Sequence, residues 1–103
     1  MIEITPLGDN LRRLLGLHAL PATHLSRLIR VSPQSLSVLM SGKRNASLST
    51  VRVLAQFFEI PVERLLETPF RDLLITELAD TDRFDRVEAK IPDEARSRQW
   101  HLG

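Results

Sequence analysis

The chain has 103 residues, a net charge of +1 and no cysteine, so it supports one domain with a single core and excludes disulfides and thiolate metal sites. No apolar run approaches the roughly 20 residues needed to span a bilayer, and the N-terminus lacks a basic-then-apolar export pattern. A cytoplasmic protein without membrane contact is expected.

Met1 to Ile4 is a short apolar lead, followed by a turn or helix start at Thr5-Pro6. Asp9 is placed to cap a first helix whose apolar face runs Leu11, Leu14, Leu15 and His18. Gly16 costs that helix about 1 kcal/mol relative to alanine, so a neighbouring helix is expected to pass close to it. Pro21 opens a second helix, in which Leu25, Leu28 and Ile29 share one face by their three-and-four spacing. Arg30-Val31-Ser32-Pro33 interrupts the pattern. Ser32 is a good N-cap, and Pro33 fits the first helical position because its missing N–H would have had no partner there. A third helix therefore starts at Pro33, with Leu36, Leu39 and Met40 turned inward.

A linker this short forces the second and third helices to cross steeply, which needs a small residue at closest approach; Ser26 supplies it. The outward positions of the third helix are Gln34, Ser35, Ser37 and Val38, short or flat side chains able to sit against base edges. An ordinary helical hairpin would carry the same apolar pattern. Next, Gly42 suits the left-handed residue that closes a helix, and Ser47 can cap the following one. The loop between them presents Lys43, Arg44 and Asn45 beside the third helix, where they are placed to grip phosphates. A fourth helix carries Val51, Leu54, Ala55 and Phe58 inward, and Ile60-Pro61-Val62 turns into a short fifth with Val62, Leu65 and Leu66. Short links and no period-two stretch here predict an all-α bundle.

From Pro69 onward, Phe70, Leu73, Leu74 and Leu78 form one apolar stripe, and Phe84, Val87 and Ile91 another before Pro92. Val87, Ala89 and Ile91 also alternate, which leaves a strand open, but the local Glu, Arg, Lys and Ala content selects helix. The stripes either close the core or pair two subunits. Charge divides the chain as well. Between Asn10 and Phe58 there are seven basic residues, Arg12, Arg13, Arg27, Arg30, Lys43, Arg44 and Arg52, and no acidic one, whereas from Pro61 ten acidic residues outnumber seven basic. A solvated surface normally interleaves both signs, so a long acid-free stretch points to a polyanionic partner.

Several short segments then fall in a recognisable order: Leu11-Arg12-Arg13-Leu14, Leu25, Val31-Ser32, Leu36 and Leu39, Gly42-Lys43-Arg44-Asn45-Ala46-Ser47-Leu48-Ser49-Thr50-Val51, Leu54-Ala55, and Ile60-Pro61-Val62-Glu63-Arg64-Leu65. Over roughly Asp9 to Leu66 the chain resembles the Cro/lambda-repressor-like helix-turn-helix family, also called the xenobiotic-response-element family. It departs from that pattern at Ala22, where the family usually has a phosphate-holding Gln, and at Ala46, where it has Pro. Arg30 replaces the turn glycine and must either accept a positive φ or change the turn. Leu15 and Met40 stand where the family often buries an Arg–Glu pair, and an apolar pair in contact is expected there.

The resemblance implies an all-α, five-helix Cro/lambda-repressor-like DNA-binding bundle over residues 5–68. A C-terminal helical extension follows over 69–92 and a flexible tail over 93–103. The implied function is sequence-specific binding of double-stranded DNA by a transcriptional regulator acting as a homodimer; repressor is the expected role, although the sequence does not separate it from activator. Ser32, Pro33, Gln34, Ser37 and Val38 would read bases; Arg12, Arg13, Thr23, Ser35, Lys43, Arg44 and Asn45 would hold phosphates. Phe70, Leu73, Leu74, Leu78, Phe84, Val87 and Ile91 are the expected dimer residues. His18, His24 and His101 form no metal or nucleophile arrangement, so no cofactor, no metal and no enzyme activity are expected, with His18 at the core edge. The alternative is a helical protein-interaction module of antitoxin or adaptor type.

Overall fold

The computed structural model describes residues 6–42 and 47–95, which fold into helices and turns with no strand among them. Seven α-helices are seen in these residues: α1 (Leu7–Leu17), α2 (Ala22–Ile29), α3 (Pro33–Ser41), α4 (Leu48–Phe58), α5 (Val62–Glu67), α6 (Phe70–Ile75) and α7 (Thr81–Ala89). Short 3-10 turns at Glu77–Ala79 and Asp93–Ala95 complete them. The expected five helices are α1 to α5, and the extension adds two more. Residues 84–89 are helical, which removes the strand alternative.

The caps explain most of the boundaries. The Ser32 hydroxyl accepts from the Ser35 amide at 3.1 Å with Pro33 at the first helical position, and the Ser47 hydroxyl accepts from the Thr50 amide at 3.3 Å. Gly42 closes α3 in the left-handed region at φ 74°. The start of α1 differs from expectation. It begins at Leu7 behind Pro6, so Asp9 lies inside the first turn and pairs with Arg13 at 2.9 Å and Arg12 at 3.5 Å rather than capping. A carboxylate is favoured at either place by the amides exposed at a helix start, which is why sequence alone shifts this boundary.

One apolar cluster runs through the described residues: Leu11, Leu14, Leu25, Leu36, Leu54, Phe58 and Leu65 are fully buried, Leu15 belongs to the same cluster, and Met40 is partly buried against that cluster. Asn10, also fully buried, donates from Nδ2 to the carbonyls of Leu65 at 2.9 Å and Thr68 at 2.8 Å, tying α1 to the end of α5. Ser26 is buried at the α2–α3 crossing and satisfies its hydroxyl on the Thr23 carbonyl at 2.7 Å. Gly16, by contrast, has nothing within 4 Å of the place a Cβ would occupy; the close approach is at Gly8 instead.

The extension belongs to this core. Leu73, Val87 and Ile91, expected to pair subunits, are buried inside the chain's own cluster, with Phe70 and Leu78 packed partly against it. Phe84 stacks on His18 with ring centroids 4.7 Å apart, and the His18 imidazole meets the Glu88 carboxylate, so α7 is pinned to the end of α1. Glu59, at the left-handed end of α4, reaches Arg86 at 2.7 Å and Lys90 at 3.4 Å and fastens α4 to α7. The physical reason for the difference is simple. Amphipathic spacing says that a face is covered, not what covers it.

Candidate nucleic-acid interface

Leu36 and Leu39 anchor α3 to the bundle, and their burial decides which way its other side chains point. Ser32, Pro33, Gln34, Ser35, Ser37 and Val38 are all exposed, and the acidic extension covers none of them. Ser32 and Ser35 are engaged with each other through the cap, their hydroxyls 2.8 Å apart. The Gln34 and Ser37 side chains make no hydrogen bond to a described residue, which leaves an amide and a hydroxyl open on the helix. An amide can give and take two hydrogen bonds with an adenine edge, and the Val38 side chain offers a surface for a thymine methyl.

Around this face the expected phosphate-holding residues divide. Thr23 is exposed on the first turn of α2, and Ser35 on that of α3. Arg12 and Arg13 are exposed but both engage Asp9, and the Arg13 guanidinium lies 5.8 Å over the Phe70 ring, which draws it toward α6. Lys43, Arg44 and Asn45 lie outside the described residues.

Two basic residues outside the expected phosphate-holding set, Arg27 and Arg30, join the site. An open cleft of about 410 Å³ between α2 and the start of α3 is lined by Thr23, Ser26, Arg27, Arg30, Val31, Ser32 and Pro33. Arg30 closes α2 in the left-handed conformation at φ 58°, ψ 43°, and the Val31 amide donates to the Ser26 carbonyl at 3.0 Å. The signal is present in the acid-free run, but a charge count does not say which cations surround the same space.

Among the described residues there is no group of three or more His, Cys, Asp or Glu able to hold a metal ion, and no helix long and apolar enough to cross a membrane. No curated protein and no solved structure matches the chain. Its residues 10–65, which run from the buried Asn10 of α1 to the buried Leu65 of α5, match the sequence profile of the helix-turn-helix family. Since that match takes in the α2–α3 hairpin and the helices that hold it, the chain belongs to the helix-turn-helix family of DNA-binding proteins.

Proposed function

We propose that this chain is a sequence-specific regulator of transcription of the xenobiotic-response-element type, which lays α3 in the major groove of duplex DNA. The observation that carries the reading is the open outer face of α3, with Gln34, Ser37 and Val38 exposed on a helix whose Leu36 and Leu39 are locked in the core. No arginine stands among these side chains to read guanine, so direct readout leans on A·T pairs and the remaining specificity comes from DNA shape. Lys43, Arg44, Asn45, Thr23 and Ser35 serve as backbone contacts that set the register.

One helix of nine residues reads few base pairs, and a homodimer doubles the site. With Leu73, Val87 and Ile91 taken up by the core, the pairing surface is reduced to the outer side of α6, where Leu74 and Ile75 are exposed beside Phe70. Regulation is by repression, through occupancy of the operator. Selection of bound duplexes from a random pool tests the reading: enrichment of two A·T-rich half-sites at fixed spacing supports it, and recovery of an unenriched pool rejects it.

A further inference from the structure

We infer that Arg30, with Arg27 beside it, grips a backbone phosphodiester of duplex DNA in the cleft between α2 and the start of α3. This inference rests on the duplex-binding reading above and adds a contact point that the resemblance does not supply, since the family's turn residue is glycine.

Arg30 sits at φ 58°, ψ 43°, a region that disfavours any residue with a Cβ and that glycine enters freely. Ala19 after α1 and Glu59 after α4 adopt the same region, so the conformation marks a helix end, and it is the choice of arginine there that calls for a reason. The fold does not require it, because the Arg30 guanidinium is exposed and no hydrogen bond or ion pair joins it to a described residue. Arg30 also borders a second open groove, with Leu28, Ile29 and Phe57.

Arg12, Arg13, Arg64, Arg83, Arg86 and Lys90 all have partners within the chain, either a carboxylate or a main-chain carbonyl. Arg27, Arg30, Arg52 and Arg71 have none among the described residues, and of these four only Arg27 and Arg30 line the cleft between α2 and the start of α3; no acidic residue lines it with them. Two like charges on one cleft repel, and a bound anion removes that repulsion. The cleft also holds the Thr23 hydroxyl and opens at the N-terminal end of α3, whose amides favour negative charge. Guanidinium forks match phosphate oxygens, which makes a phosphodiester the fitting occupant.

The position suits a groove-bound helix. The cleft stands at one end of α3, and the segment bearing Lys43 and Arg44 begins after its other end. Nine helical residues span about 13 Å, close to the roughly 12 Å width of the major groove. Arg27 and Arg30 can thus hold backbone beside the end of α3 that the cleft adjoins.

The test compares the full chain with Arg30→Gly, Arg30→Gln and Arg30→Lys, using a short mixed-sequence duplex across a salt series and thermal unfolding of each protein. Arg30→Gly is expected to raise the melting midpoint by about 4 °C, because the turn relaxes, while weakening binding about tenfold. It should also flatten the log–log salt dependence by about one unit. Arg30→Gln should lose affinity and slope equally, and Arg30→Lys should keep most of both. A lower melting midpoint for Arg30→Gly, or wild-type affinity and slope for Arg30→Gln, overturns the inference while leaving the duplex-binding reading intact. Failure of the unaltered protein to bind the duplex at low salt overturns both.

Discussion

Gly8 stands directly against the carbonyl oxygen of Leu39: a Cβ on Gly8 would lie 2.7 Å from that atom and 3.1 Å from the carbonyl oxygen of Met40. Both neighbours are backbone, so neither can swing aside. The first turn of α1 therefore meets the last turn of α3 main chain to main chain and sets where the exposed helix sits on the bundle. Gly16, on the same helix, faces open space. Alanine at these two glycines is expected to have opposite effects. Gly8→Ala should destabilise by about 1 to 3 kcal/mol through overpacking, and Gly16→Ala should stabilise by up to about 1 kcal/mol through better helix propensity. Urea unfolding of both variants checks this, and the same sign for both would contradict the packing described.

The Asn10 side-chain amide donates to two carbonyls at the end of α5, those of Leu65 and Thr68. Asn10→Ala leaves both carbonyls without that donor and is expected to cost about 2 to 4 kcal/mol, from roughly 1 to 3 for each unsatisfied group with some relaxation. Asn10→Asp should be worse at neutral pH, because a carboxylate has no donor and would face two acceptors. Denaturation midpoints give the order; an Asn10→Asp variant as stable as the parent would mean that these hydrogen bonds do not hold α5.

Acid should loosen the extension. The Arg86 hydrogen bond, with Lys90 adding to it, holds the Glu59 carboxyl below its ordinary 4.5, and the Thr76 hydroxyl followed by Arg64 does the same for Glu77. A folded-state value below the unfolded one contributes stability that is present above 4.5 and is lost as pH falls through the lowered value. Stability measured from about pH 6 down to about pH 3 is expected to decline in that lower range, modestly because both pairs are near the surface. Glu59→Gln should make the decline shallower. An acid limb of identical slope in the variant would remove Glu59 from the explanation.

Ile75 is 75% exposed and Leu74 44%, an unusual pair of apolar side chains to leave in water on one short helix. If α6 pairs subunits, Ile75→Glu should yield a monomer without lowering stability, since the side chain contributes little to the chain's own core. Sedimentation over a range of concentrations reads this directly. A parent protein that stays monomeric throughout excludes the pairing.

The hairpin is legible in the sequence because local chemistry and periodicity agree there. Ser32 and Pro33 fix the start of α3, Ser26 fits the crossing, and all four inward residues expected for α4, Val51, Leu54, Ala55 and Phe58, are buried. His18 reads as a core residue from its helical spacing, although nothing in its surroundings along the chain announces Glu88 or Phe84, seventy and sixty-six positions away. What sequence does not resolve is of one kind. Gly8 and Gly16 look alike until the neighbouring helix is present. Leu73, Val87 and Ile91 spell a buried stripe without naming the surface that buries it. Arg27 and Arg30 read as charge until a shared cleft joins them. Each depends on how separate helices come together.

The decisive measurement is the binding of Gln34→Ala to the selected duplex and to duplexes altered one base pair at a time. If α3 reads bases through this amide, the variant should lose about 1 to 3 kcal/mol on the selected duplex and become indifferent to the base at one position, while discrimination elsewhere is kept. Equal losses on every sequence, or no loss at all, would mean that Gln34 reads nothing and that α3 does not enter the groove as described.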